Sequence, residues 1–169
     1  MRHCVFVVAS QSQLHTLRPV IESIANTGLA VSVLATGQDS ILIADAVGVT
    51  NVDVVETQSR RWPSLSSLIW LPTMMNGCLQ HVAAIKTWTT QRPLVVVQGS
   101  QFTSWLGATA ARWGGGNIVY LDHTGDTQDV GFFARSFRRM AAAKAHMQVA
   151  ATEQADKIIL NLSGVRDAQ

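Results

Sequence analysis

The 169-residue chain reads as an α/β protein: one domain, residues 1–169, with a mostly parallel sheet of about six strands and helices on both faces. Three observations predict this. Short apolar runs rich in β-branched residues alternate with longer segments of helical spacing, and such alternation specifies parallel strands joined by crossover helices. The apolar runs are near-continuous, as strands covered on both faces require. The length is that of one domain and is sufficient to close a single core.

Taken in order, Cys4–Ala9 is the first strand, apolar throughout. Leu14 to Ala25 carries Leu14, Leu17, Ile21 and Ile24 at helical spacing, and Gly28 fits the region just past a helix end. Ala30–Ala35 is the second strand, Thr36–Ser40 a turn, Ile41–Val47 a short helix and Val52–Val55 a weaker third strand. Gln58–Pro63 is a polar loop. Ser64–Thr90 is mostly helical in pattern and is divided by Pro72. Leu94–Val97, introduced by Pro93, is the clearest strand. Gln101–Trp113 is a helix with Trp105, Ala108 and Ala111 on one side, ended by Gly114-Gly115-Gly116. Asn117–Leu121 is the next strand, Phe133–His146 a basic helix, Gln148–Ala150 a short strand and Glu153–Leu160 a last helix.

Composition removes several function classes. Hydrophobic residues make 47% and charged residues 14%, the opposite of a disordered chain. A net charge of +2, from 13 basic and 11 acidic residues, argues against a general nucleic-acid binder, which shows a clustered basic face. So little charge suggests a surface covered by a partner chain or a second copy, though a weakly charged monomer fits as well. Cys4 and Cys78 make no disulfide framework. No apolar run approaches the roughly 20 residues of a membrane span. The first run is too short for a signal-peptide core, so the expected compartment is the cytoplasm. The tryptophans, Trp62, Trp70, Trp88, Trp105 and Trp113, suit core and interface better than base stacking. Leu68 to Met75, apolar and methionine-rich, is either core or the covered surface itself.

In open parallel sheets, ligands sit at the carboxyl ends of the strands, near the point where strand order reverses. That directs attention to Ser10–Ser12, Thr36–Asp39, Gly99–Gln101 and Asp122–Asp126. The first loop has no G-x-G-x-x-G and no glycine-lysine pair, so it fits neither a dinucleotide nor a P-loop phosphate site. Ser12 there is expected to cap the following helix. Ser100 lacks the glycines of a nucleophile elbow and fits an N-cap. Asp122, His123, Asp126 and Asp129 crowd one stretch. It could coordinate a divalent ion through oxygens or hold an acid/base pair, but its spacing matches no EF-hand or zinc motif. Its Asp, Thr and Gly content fits a solvated turn. Asp122 and His123 stand apart because they fall at a strand end. Arg135 with Arg138 or Arg139 shares a helix face. Guanidinium groups there suit phosphate oxygens, or simply a solvated basic face.

The order of these segments resembles the N-terminal half of the non-hydrolysing UDP-N-acetylglucosamine 2-epimerases, which have the two-domain GT-B fold. Val33-Leu34-Ala35-Thr36-Gly37-Gln38-Asp39 resembles the family's strand followed by T-G-Q-H. Leu94 to Ser100 resembles its strand followed by H/Q-G-D, and Ile118 to Asp122 its strand ending in V-E-A-G. Arg138 through Ala151-Thr152-Glu153 resembles its helix with N-R and the strand ending in P-T-E. The likeness covers nearly the whole chain and implies one Rossmann-like half of a GT-B fold. That family removes the proton at C2 of the sugar, expels UDP and adds it back. The resemblance implies Asp122 and Arg138 as catalytic residues. It implies Gln11, Gly37, Gln38, Gly99 and Ser100 as substrate-binding residues; His123, beside Asp122 at the strand end, is the further substrate-binding candidate, and no metal or cofactor is expected.

The charged positions carry over in part. The family's arginine after the first strand corresponds to Gln11, the lysine further along that helix to Thr16, and the aspartate after H/Q-G to Ser100. The glutamate of V-E-A-G corresponds to Asp122, still a carboxylate. That of P-E-E falls near Ala134, and the arginine four positions later matches Arg138. The chain ends near where the family's first domain gives way to its second. It is therefore expected to be a subunit or partner in nucleotide-sugar metabolism. A separate chain would supply the C-terminal half, or copies would associate. The alternatives are an inactive binding or scaffolding module and an unrelated small flavodoxin-like domain.

Overall fold

The structure, a computed structural model, describes residues 3–8, 10–35, 52–56, 79–80, 82–83, 85–86, 92–99, 102–122, 132–149 and 155–163. Six strands form one parallel sheet: β1 (His3–Val8), β2 (Ala30–Ala35), β3 (Val52–Glu56), β4 (Leu94–Gln98), β5 (Asn117–Leu121) and β6 (Met147–Val149). Their spatial order is β3-β2-β1-β4-β5-β6, and every pairing is parallel. Strand order therefore reverses between β1 and β4, where Cys4 pairs with Leu94 and Val7 with Val97. All of β4, and all of β1 after His3, is buried, as the continuous apolar runs require.

Among the described residues the sheet is covered by α1 (Gln11–Ala25), α2 (Phe102–Gly114), α3 (Phe132–Ala142) and α4 (Ala155–Ser163). Residues 79–80, 82–83 and 85–86 are also helical, within the segment expected to be mostly helix. Side-chain alternation divides the strands between two cores. On one face Phe6, Val33, Val96 and Leu121 meet Leu17, Ile21 and Ile24 of α1 and Ile159 of α4. On the other Val7, Val95, Val97, Ile118 and Tyr120 meet Leu106, Ala108, Ala110 and Ala111 of α2, Ile85 and Ala141. Among the described residues no helix is long and apolar enough to cross a membrane.

Several boundaries differ from the sequence reading. Helix α1 begins at Gln11, not Leu14. Its cap is Ser10, not Ser12: Ser10 Oγ accepts the Gln13 N–H at 3.3 Å, the reach an N-cap needs to the third helical residue. The Ser12 carbonyl instead accepts the Thr16 hydroxyl at 3.1 Å. Pro19 lies inside α1. It sits on the exposed side, while the buried stripe from Leu14 to Ile24 holds the helix to the sheet. The basic helix ends at Ala142 rather than His146. His146 instead turns back on β5: its N–H donates to the Ile118 carbonyl and its Nδ1 accepts the Ile118 N–H, both at 2.9 Å. That double bond starts β6 at Met147, one residue before the expected Gln148. The last helix is Ala155–Ser163 rather than Glu153–Leu160. The expected short helix Ile41–Val47, the segment Leu68–Met75, Cys78, Trp62, Trp70 and Trp88 lie outside the described residues.

Candidate functional site

The candidate site is built at the carboxyl ends of β4 and β5, beside the reversal point. Three elements converge on the turn that follows β4. The Gln98 carbonyl accepts Gln13 Nε2 from α1 at 3.0 Å and Ser104 Oγ from α2 at 2.7 Å. The next carbonyl, Gly99, accepts the Tyr120 hydroxyl from β5 at 2.8 Å. Gly99 has φ +93°, and a Cβ there would lie 2.7 Å from Gln13 Nε2. Glycine is thus required twice, for the left-handed backbone and for the close approach of Gln13. The Gln98 side chain is 4% exposed, and among the described residues its buried Oε1 has no hydrogen-bond partner.

Two residues beyond Tyr120, Asp122 immediately follows the end of β5. Its N–H donates to the Val149 carbonyl at 2.8 Å, and its Oδ2 accepts from Arg138 Nη2 of α3. Both side chains are about a third exposed, at 31% and 29%, so the pair sits at the rim of the site. The carboxylate holds the Arg138 guanidinium above its ordinary range, chiefly through that hydrogen bond. Tyr120 lies behind the pair, 1% exposed. Burial pushes its phenol up to about 12; the Asp122 charge adds to the rise and Arg138 opposes it.

These positions include some of the expected residues; others lie outside the described residues. Asp122 and Arg138 are brought together by the packing of α3 beside α2. Arg138 therefore does not share an open phosphate-binding face with its neighbours, for Arg135 and Arg139 are exposed while Arg138 turns inward to Asp122. Gly99 is at the β4 turn. Gln11 is the exposed first residue of α1. Gly37, Gln38, Ser100 and His123 lie outside the described residues. Sequence reasoning missed Gln13, Gln98, Ser104 and Tyr120 as members of this cluster. The one available signal was alternation along β5, which puts Tyr120 on the same face as Asp122. Among the described residues no three His, Cys, Asp or Glu side chains come together.

Chemically, the arrangement of the described residues offers one carboxylate already engaged through Oδ2, one guanidinium, and a turn whose Gln98 and Gly99 carbonyls are used internally. It can hold hydroxyl groups and an anion. Among the described residues it does not gather the several charges that abstracting a carbon-bound proton and stabilising a departing phosphate require.

The sequence matches no protein-family model and no curated protein. Solved structures do resemble it. A UDP-N-acetylglucosamine 2-epimerase matches with TM-score 0.69 and 16% identity over 95% of this chain and 45% of its own. The UDP-GlcNAc 2-epimerase from Methanocaldococcus jannaschii matches with TM-score 0.64 and 17% identity, over 98% of this chain and 43% of its own. A glycosyltransferase from Rickettsia africae gives TM-score 0.57 and 13% identity, over 98% and 41%. The chain thus spans less than half the length of these structures. At such identities the likeness establishes the fold: a Rossmann-like parallel α/β sheet of the kind found in one half of these proteins, as the sequence resemblance implied.

Proposed function

We propose that this chain, folded as a single domain over residues 1–169, is an epimerase-like half-protein that works in nucleotide-sugar metabolism with a second chain or a second copy. It contributes the strand-end half of a UDP-N-acetylhexosamine-type site and carries out no isomerisation alone. The observation that carries this reading is the coverage: 95% of this chain aligns with 45% of a UDP-N-acetylglucosamine 2-epimerase. Asp122 follows β5 at the strand ends where such sheets take their ligands, and Arg138 of α3 is paired to it there. In this reading Asp122 and Arg138 face the sugar and the leaving phosphate. Gln11, Gly37, Gln38, Gly99, Ser100 and His123 line the binding surface, and the location is cytoplasmic.

A second reading, an inactive binding module, is favoured by one feature. Thr16 and Gln11 stand where the resembling family has a lysine and an arginine. Thr16 spends its hydroxyl on its own helix, and Gln11 carries no charge.

The test is a titration of the chain with UDP and with UDP-N-acetylglucosamine, followed by amide NMR, beside an epimerase assay. The expected result is weak binding, Kd on the order of 1 mM, with shifts confined to Gly99, Asp122 and their neighbours, and no turnover. Conversion of UDP-N-acetylglucosamine by the chain alone would refute the half-protein reading. No response at those residues at ligand concentrations well above that Kd would refute the nucleotide-sugar reading.

A further inference from the structure

Tyr120 belongs to neither the charged pair nor the turn, yet it touches the chemistry of both. It pairs across the sheet with Val97 of β4. Its hydroxyl reaches two residues further along that strand's path and donates to the carbonyl of Gly99 at 2.8 Å. Asp122 follows two residues later, just past the end of β5, where its N–H still bonds the neighbouring β6 at the Val149 carbonyl; two-residue alternation carried one step past the strand puts it on the same face as Tyr120. The phenol feels that carboxylate and the Arg138 guanidinium with opposite signs. A ring buried to 1% exposure serves packing whether or not it carries oxygen, so phenylalanine would fill the same space. The buried hydroxyl is tolerated because it is bonded, and its partner is the carbonyl of Gly99, the left-handed residue just past β4.

Three side chains fix the two carbonyls of this turn. Gln13 and Ser104 hold Gln98 from the helices; the third link, from Tyr120, is the one that leads to Asp122. We propose that Tyr120 is a positioning residue: its hydroxyl ties the Gly99 turn to the Asp122–Arg138 pair, so that the ends of β4 and β5 meet a nucleotide sugar as one rigid unit. The ligand class rests on the function proposed above; the coupling itself does not.

The coupling is read first without ligand, from the Gly99 amide resonance. Asp122→Asn is expected to move that resonance in the parent protein and to leave it nearly unmoved in a Tyr120→Phe background. An unmoved Gly99 in the parent, or an equal movement in both backgrounds, overturns the proposal. The second reading is affinity for UDP-N-acetylglucosamine. Tyr120→Phe is expected to weaken it about tenfold, the loss of about one charge-assisted or buried hydrogen bond, while the folded amide spectrum is kept. Equal affinity in parent and variant overturns the positioning role. If the parent binds no nucleotide sugar, the function proposed above fails and the Gly99 measurement still decides this inference. Should Tyr120→Phe not fold, fluorotyrosine replaces it. The chain has a single tyrosine, so one fluorine signal reports this position. That signal must respond to Asp122→Asn and to Arg138→Gln, and silence to both overturns the proposal.

Discussion

The two faces of the sheet are built from different side chains and do different things. Beneath α1, large aliphatic residues fill the space: Leu14, Leu17, Val20, Ile21 and Ile24 against Phe6, Val33 and Val96. Beneath α2, the helix contributes mainly alanine and glycine: Ala108, Ala110 and Ala111 are fully buried, and a Cβ at Gly107 would lie 2.7 Å from Val7 Cγ1. Small residues let α2 lie close to the strands. Helix α3 packs beside α2, which sets Arg138 within reach of Asp122 and leaves Ser104 against the β4 turn. The α1 face supplies bulk and therefore stability. The α2 face supplies proximity, and the candidate site is on that side.

This contrast can be broken most forcefully from the bulky side. Leu17→Ala removes a fully buried side chain and is expected to cost about 3 kcal/mol, seen as a lower denaturant midpoint with ligand contacts at Gly99 and Asp122 unaltered in the residual folded protein. A loss under about 1 kcal/mol would mean that the α1 face is not the stabilising one. On the close-packed side the opposite change should hurt. Gly107→Ala adds one methyl against Val7 and is expected to destabilise by about 2 kcal/mol through overpacking, where alanine in an open helix position would stabilise. An increase in thermal midpoint would show that α2 has room to spare.

The buried phenol gives a difference with pH. Its ordinary value is 10.0 and the fold raises it to about 12. Between these values the unfolded chain has released the proton and the folded chain retains it, so folding stability falls as pH rises across this window. The parent should lose up to about 2 kcal/mol more than Tyr120→Phe over that range. Parallel base-unfolding curves for the two proteins would show that the ring is not sealed. The smallest effect belongs to the rim. Arg138→Gln breaks a pair in which both partners are about a third exposed, and the stability cost should stay under about 1 kcal/mol in calorimetry. A larger loss would make the pair part of the core rather than part of a site.

What the sequence disclosed and what it hid follow the same division. Strand positions were legible because a strand buried on both faces writes itself as an uninterrupted apolar run, and β1, β4 and β5 do so. The rim pair was half legible: Asp122 is placed by the strand end and Arg138 by its helix, but no local pattern says that the two meet. The turn was not legible. Gln13 reaching Gln98, and Tyr120 reaching Gly99, are single long-range contacts between a side chain and a main-chain carbonyl, and such contacts leave no periodicity. The capping error has a similarly plain cause. Ser10 and Ser12 are both good caps, and propensity cannot choose between them. The backbone chose, because Ser10 is still extended, with φ −149° and ψ 158°, as an N-cap must be.

The central pairing of the sheet has a consequence for how the chain is made. Strand β1 is synthesised well before β4, and β2 soon pairs along one of its edges. Its other edge is reserved for β4, with Cys4 waiting for Leu94. At roughly 5–20 residues per second, synthesis leaves that edge open on the order of 10 s. During this interval an apolar strand with free amide and carbonyl groups is a template for whatever extended segment comes near. The ordering that puts the reversal point, and with it the candidate site, in the middle of the sheet also sets the period in which the nascent chain is most exposed to mispairing.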